Sequence, residues 1–329
     1  MMKPYEYAAR LNSFRVNEKQ YWQGHNGKIT TLEVLDRAAS VPGLNAVDLN
    51  YPDHLEGLTE PEVMEKLSSL NVSLNGYAMR YSTDPGFKLG AFTHPDETVR
   101  HAAIDITKRG LDSLARAGGS LMTLWMGQDG FDYSFQVDYG RIWDQTIAAI
   151  REVADHNSAI DISIEYKPNE PRSFSLMPDV ATTLLAIKEI DRPNLGVTLD
   201  FAHVLYADEM PAHAASLVAR HSRLLGIHLN DGYGKRDDGL MAGSVHPIQT
   251  IELLYELDRI GYDGAIYFDT FPDTTGLDPV AECSTNISTV NAMRRIVDKL
   301  RGDTRLAAAI QKQDAVTSQA IVQAALFGL

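Results

Sequence analysis

The chain has 329 residues, 44% of them hydrophobic, enough for one large core or two modest ones. A formal net charge of −14, with no lysine- or arginine-rich stretch, argues against a nucleic-acid partner, because phosphate binding needs a basic face. No apolar run is long enough to span a membrane, the polar start "MMKPYEYAARLNSFRVNEKQYW" lacks the apolar middle of a secretion signal, and the single cysteine, Cys283, excludes an internal disulfide framework, so a cytoplasmic protein without membrane contact is expected.

Along the chain, short apolar runs alternate with longer helical patterns. The first strand is expected at "NSFRV" (12–16), before the amphipathic "TLEVLDRAA"; the second is "NAVDLN" (45–50), before "EPEVMEKLSSL". "VSLNGY" (72–77) precedes a long helix that opens in "HPDETVR", where Pro95, Asp96 and Glu97 favour a first turn. "SLMTLWM" (120–126) is followed by the helical "VDYGRIWDQTIAAIREVADH". The remaining strands are "IDISIEY" (160–166), "LGVTLD" (195–200), "LGIHLN" (225–230) and "AIYFD" (265–269). Eight strands alternating with helices predict a (β/α)8 TIM barrel over residues 1–300, with a helical arm at 301–329. An open doubly wound sheet competes, but no G-x-G-x-x-G follows the first strand and no phosphate loop is present.

A barrel keeps its functional side chains at the C-terminal ends of its strands. Those ends read Asn50, Trp125, Glu165, Asp200, His228 and Asp269. Taken singly, an Asp at a strand end is more often a helix cap and a lone His a packed core residue. Four metal-ligand types on four consecutive strands point instead to one oxygen-rich cation site, suited to Mn²⁺, Mg²⁺ or Co²⁺ rather than structural zinc. Three carboxylates so close would otherwise repel, and one would hold a proton. His203, three residues beyond Asp200, together with Asp231, Asp237 or Asp238 of "NDGYGKRDDG", could begin a second metal position, although an Asp/Gly-rich loop needs no metal to exist. Lys167, two residues past Glu165, shares its side of an extended chain and can polarise a substrate carbonyl; neutralising the carboxylates is its simpler reading. Pro168 and Pro171 stiffen its turn. Trp125 offers either a flat wall for a sugar or ordinary rim packing.

At this point the residues resemble a known family. "SIEYKPNEPR" resembles the signature of xylose isomerases and is similar to the matching strand of L-rhamnose isomerases. "FKLGAFTHPDETVR", "LWMGQDG", "LDFAH", "IHLNDG" and "YFDTF" follow the order and spacing of those enzymes across roughly residues 40–300, and the helical tail resembles the oligomerising arm of xylose isomerases more loosely. The resemblance implies Glu165, Asp200, His228 and Asp269 as ligands of a structural metal. It implies Asp200 and His203, with Asp237 or Asp238, as ligands of a catalytic one. Lys167, Glu165, Asp269 and His203 become the expected catalytic side chains; Trp125, Asn50, His94 and Phe271 become the expected sugar contacts. A histidine at 228 is closer to the rhamnose isomerase pattern. The family's ring-opening histidine is replaced by Asn50, so His54, Tyr51 or His94 substitutes, or the sugar arrives open-chain. The implied activity is aldose–ketose isomerisation at C1/C2 with one or two divalent ions, Mn²⁺ foremost, in a homo-oligomer (dimer or tetramer). The alternatives are a sugar epimerase, a lyase or deglycosidase acting on 3-oxo-glycosides (C-glycosides included) with a small partner subunit, or an inactive sugar-binding barrel.

Overall fold

A computed structural model describes residues 5–329 apart from 17, 24, 26, 82 and 83. Eight strands, β1 (Tyr7–Arg10), β2 (Ala46–Tyr51), β3 (Ser73–Met79), β4 (Leu121–Trp125), β5 (Asp161–Glu165), β6 (Leu195–Asp200), β7 (Leu224–Leu229) and β8 (Ile266–Phe268), pair in parallel in chain order. β8 pairs with β1, closing the expected barrel. Between strands run α1 (Thr31–Ala39), α2 (Glu60–Leu70), α3 (Glu97–Arg116), α4 (Tyr139–His156), α5 (Val180–Ile190), α6 (Pro211–His221) and α7 (Pro247–Ile260), and α8 (Pro279–Arg301) follows β8. Their starts are written in the sequence. Thr30 with Glu33, and Thr59 with Glu62, form capping boxes, while Asp96, Asp138, Asp179 and Asp278 accept first-turn N–H groups. Each such cap contributes about 1 kcal/mol.

One strand lies elsewhere than expected. β1 is Tyr7–Arg10, and Leu11–Phe14, overlapping the start of the predicted 12–16 run, forms a 3-10 turn. Its spacing explains the difference: Leu11 and Phe14, three apart, share one buried face, and Ser13 Oγ donates to the Thr270 carbonyl at 2.8 Å. The correction places Arg10, not Val16, at the first strand end.

Two layers of packing hold the barrel. Outside it, Val47, Leu49, Leu124, Ile162, Ile164, Val197, Leu199, Ile227 and Leu229 are fully buried in the main core, each contributing roughly 1.5–3 kcal/mol. Inside it, Ala8, Ala46, Ala265 and Tyr267 form a second, smaller cluster. Above lie Asp48, bonded by Asn75 Nδ2 at 2.6 Å, and the Ser163–Thr198 hydroxyl pair at 2.6 Å. Beyond α8, α9 (Thr304–Gln311) and α10 (Ala315–Phe327) complete the chain. Ile321, Val322, Ala325 and Leu326 pack against the core, whereas Val316 and Phe327 are exposed. Among the described residues no helix is long and apolar enough to cross a membrane.

A two-stranded antiparallel ribbon, Gly130–Phe131 with Phe174–Ser175, ties the loop after β4 to the loop after β5. Arg172 reinforces it, donating to the Lys88 and Gly130 carbonyls, both at 3.2 Å, and pairing with Asp132. Asp129 Oδ1 accepts from Ala91 N, Thr93 N and Thr93 Oγ1, fixing the loop before α3 to the same frame.

Gly226 gives a direct test of the interior packing. A Cβ there would come 2.6 Å from Thr198 Oγ1, so Gly226→Ala must displace the Ser163–Thr198 pair beneath the strand ends. Denaturant unfolding is expected to show a loss of about 1–3 kcal/mol; an unchanged midpoint would mean the interior tolerates the methyl.

Candidate metal centre and active site

Strand register levels the chemistry. Trp125 pairs with Glu165, and Asp200 with His228, while Asp269 directly follows β8. One ligand atom from each of Glu165, Asp200, His228 and Asp269 lies within 4.8 Å of all the others. Around them, His228 Nδ1 is 3.2 Å from Glu165 Oε1 and 4.0 Å from Asp269 Oδ2. The Tyr267 ring lies tilted against that of His228, centroids 4.3 Å apart. Asn230, an uncharged residue that the pattern of strand ends does not mark, fixes Asp200: its Nδ2 donates to both Asp200 oxygens and to the Asp269 carbonyl, and its Oδ1 accepts from Ala202 N. The only signal for it was its position two residues past His228, on the same strand face.

The electrostatics are those of crowded acids. Burial pushes Asp200 up to about 7 despite the positive charge of His203, and Asp269 also moves up through burial. Burial would raise Glu165 too, but His228 overrides it and holds Glu165 down at about 2. His228 responds in kind: burial alone would lower it, and Glu165 lifts it to about 9. Asp269 Oδ1 is buried without a hydrogen-bond partner; Arg10 Nε stands 3.7 Å away. A buried, hard donor set with an acceptor oxygen to spare fits a divalent cation.

Beside this cluster, Lys167 Nζ lies 3.1 Å from Asp237 Oδ2 and 3.0 Å from Glu170 Oε2. His203 Nε2 meets the same Asp237 oxygen at 3.2 Å, and its Nδ1–H donates to the Tyr166 carbonyl at 3.0 Å. Both ring nitrogens therefore donate, in line with a pKa lifted to about 9 against burial by Asp200 and Asp237. Asp237 is held well below its ordinary range, the His203 bond and the two cations outweighing burial, and its Oδ1 is buried without a partner. Lys167 is pushed up, Asp237 and Glu170 more than offsetting its burial. Asp238 is not brought into this group, since its oxygens accept from Tyr233 N and Arg236 Nε. Asp231 is likewise engaged, by Gly232 N, Val245 N, His246 N and His246 Nδ1.

Of the expected sugar contacts, Trp125 lies 5.6 Å below Lys167 Nζ, ring centroid to nitrogen, and Gly127 leaves room for its indole, since a Cβ there would come within 2.4 Å of the ring. Phe271 carries the Arg10 guanidinium 4.8 Å above its ring. His94 caps the start of α3, Nδ1 accepting from Asp96 N. Asn50 is buried, and its N–H donates to His54 Nδ1 at 2.9 Å. His54 Nε2–H must then donate to Asn12 Oδ1, so both ring nitrogens are committed. Burial, with Arg15, Arg80 and Arg10 nearby, pushes His54 down to about 3. Tyr51 packs on Tyr77 and against α3 at Gly110. Neither is placed to replace a ring-opening histidine.

Residues 35–291 match the family described as "Xylose isomerase-like TIM barrel". The chain belongs to the xylose isomerase-like TIM barrel family. It is 32% identical over 193 residues to a xylose isomerase of Thermus thermophilus, covering 57% of this chain and 50% of that one, so the chain spans about half the length of the curated relatives it matches. Xylose isomerase-like folds also cover it nearly end to end among solved structures. A D-allulose 3-epimerase from Methylomonas sp. superposes with TM-score 0.67 at 16% identity (88% and 98% of the two chains). A xylose isomerase domain protein from Alicyclobacillus acidocaldarius gives 0.66 at 17% (89% and 99%), and a D-tagatose 3-epimerase-like protein gives 0.66 at 19% (89% and 98%). The matched family span contains all four residues of the cluster, His203, Lys167 and Asp237.

His54 yields a pH prediction. Its folded pKa of about 3 lies below its ordinary 6.5, so the stability it contributes is complete above 6.5 and is lost as pH falls toward 3. Between pH 8 and 4.5 the loss is about 2–3 kcal/mol. Urea unfolding across that range is expected to steepen accordingly, and His54→Gln to flatten the slope; an equal slope in both proteins would place the acid sensitivity elsewhere.

Proposed function

We propose that the protein is a divalent-metal-dependent sugar isomerase, interconverting an aldose and a ketose through C1 and C2. The observation that carries this reading is the buried convergence of Glu165, Asp200, His228 and Asp269 beside a charged Lys167, in a chain of this family. Those four residues would hold the ion, Mn²⁺ foremost with Mg²⁺ and Co²⁺ as alternatives; a second ion at Asp200, His203 and Asp237 would require His203 to give up the Nε2 proton it donates to Asp237. A bound divalent cation supplies Lewis-acid stabilisation to sugar oxygens.

The chain's own side chains do the remaining work. Lys167 donates to the oxygen on which negative charge develops, its ammonium kept protonated and aimed by Asp237 and Glu170. His203 anchors Asp237 from the other side, so Lys167 is positioned by a three-residue chain. Trp125, gripped by Gly127 and close under Lys167, supplies the apolar wall for the sugar's carbon face. Asn50, in place of an acid or base, favours a substrate that enters open-chain.

A second reading has its own support. Glu165 and Asp269 reach the same cluster from different strands, and a pair of carboxylates placed in this way can take a proton from one face of the sugar and return it on the other. That is the pattern of an enediol isomerase or a ketose epimerase, and the similarity to 3-epimerase folds agrees with it. A lyase acting on 3-oxo-glycosides uses the same groups.

The test is a panel of aldoses, ketoses and 3-oxo-glycosides, assayed with Mn²⁺ in D₂O. Product free of solvent deuterium marks hydrogen transfer within the sugar; one deuterium gained marks the proton route. Chelation is expected to abolish turnover and Mn²⁺ or Co²⁺ to restore it. Lys167→Met is expected to lower kcat by roughly 10²–10³-fold. No turnover on any sugar, or a Glu165→Gln variant as active as the parent, would sink the reading.

A further inference from the structure

Trp125, Asp129 and Ser175 line one small cavity together with Glu165 and Lys167. It offers about 10 Å³ to the centre of a water-sized sphere, room for one oxygen atom but not for a sugar ring. Its walls are held by the loops. Ser175 N donates to the Pro168 carbonyl at 3.1 Å and Lys167 N to the Met177 carbonyl at 3.3 Å, so the segment 175–177 runs alongside the Lys167 turn. Leu176 N donates to the Asp129 carbonyl at 3.2 Å. Gly127 fixes the indole, since a Cβ there would come 2.8 Å from Trp125 Cε2, the carbon bonded to Nε1. Each of the three residues keeps a buried polar atom without a hydrogen-bond partner among the described residues: Trp125 Nε1, Asp129 Oδ2 and Ser175 Oγ. Asp129 is 1% exposed, and its Oδ1 accepts from Ala91 N, Thr93 N and Thr93 Oγ1 while Oδ2 accepts nothing. Native interiors rarely leave such atoms unpaired, and three on residues around one cavity point to an occupant.

We propose that Trp125, Asp129 and Ser175 form a hydroxyl subsite, which takes one free hydroxyl of the sugar and rejects a sugar that is oxidised to an acid, phosphorylated or deoxygenated at that carbon. The inference rests on the sugar-site reading above and narrows it. The donor set decides the ligand group. An indole N–H only donates and a carboxylate only accepts, so a partner common to both must accept and donate at once. An alcohol does so: its oxygen accepts from Trp125 Nε1–H, its proton goes to Asp129 Oδ2, and Ser175 Oγ adjusts as donor or acceptor. A sugar carboxylate or phosphate brings acceptors alone and is too large for the cavity, and a methyl group brings neither donor nor acceptor. Burial works against the charge of Asp129, and the donors on Oδ1 work for it. The wall shared with Lys167 ties the subsite to the chemistry. The Trp125 ring centroid is 5.6 Å from Lys167 Nζ, so a sugar whose carbonyl oxygen meets Lys167 lies across the indole and presents a neighbouring hydroxyl to the cavity.

The experiment is calorimetric binding of D-fructose and D-allulose to the Mn²⁺-loaded protein, each beside its monodeoxy analogues. If neither ketose binds, the sugar of the panel that turns over takes their place. Loss of the recognised hydroxyl is expected to weaken binding roughly 10- to 100-fold, because it leaves a buried carboxylate oxygen and an indole N–H unpaired. Asp129→Asn keeps Oδ1 and turns Oδ2 into a donor. It is expected to shrink the penalty at that one position to about 3-fold or less, while penalties at hydroxyls that meet the cation stay as they were. Trp125→Phe, which keeps a flat ring without the N–H, is the independent second variant and is expected to act at the same position. The Trp125 Nε1–H NMR signal, assigned with that variant, is expected to move with the parent sugar and to stay in place with the analogue lacking the recognised hydroxyl. Penalties that both variants leave unchanged at every position overturn the subsite, the cavity then serving water alone, and leave the sugar isomerase reading standing. If no sugar binds and none in the panel turns over, the sugar-site reading fails and the subsite with it.

Discussion

Like charges repel, and Glu165, Asp200 and Asp269 are nonetheless held in one cluster out of bulk water. Moving a carboxylate into such surroundings costs several kcal/mol unless hydrogen bonds or opposite charges compensate it. Much of the local structure supplies that compensation. His228 pairs with Glu165, Asn230 donates twice to Asp200, and Arg10 stands against Asp269. The raised pKa values of His203 and His228 are the same statement made in protons: positive charge gathers where three carboxylates are held together. A site that needs this much compensation does not arise from packing alone, since apolar residues at those strand ends would be more stable.

The barrel holds this arrangement still because each ligand sits at a strand end whose neighbours are locked by register. Beneath the ligands, the interior is small and polar in turn, with Ala8, Ala46 and Ala265 below, and Gly226 making way for Thr198. Above them, the loops are not left to themselves. Arg172 and Asp129, both buried, clamp the segments after β3, β4 and β5 to one another. This explains residues whose purpose the sequence alone did not reveal: Arg172 serves loop closure, Glu170 steadies Lys167, and Asn169 accepts a hydrogen bond from Tyr206.

Much of this was legible in the sequence for a simple reason. Parallel strands buried on both faces read as short apolar runs, and a charged residue closing such a run has nowhere to go but the barrel mouth. Glu165, Asp200, His228 and Asp269 all announced themselves in that way. Arg10 did not, because "NSFRV" carries strand-like residues whose three-residue spacing serves a 3-10 turn equally well, and the true strand is only four residues long. Asn230 stayed hidden because an amide at a strand end carries no charge signal. The "KRDDG" pair illustrates a different limit. Asp237 and Asp238 are chemically identical neighbours, and only the path of the loop directs one to His203 and Lys167 and the other to Arg236.

The same geometry bears on the substitution at Asn50. In the protein, the nearest histidine in sequence is not a displaced catalytic group but a brace: His54 accepts from the Asn50 N–H and donates to Asn12, tying the end of β2 to the segment after β1. Its low pKa follows from burial among Arg15, Arg80 and Arg10, and that positive surrounding is what a general acid–base histidine would have to avoid. With both ring nitrogens engaged and protonation opposed by burial, the imidazole beside the end of β2 braces the barrel mouth instead of carrying a proton.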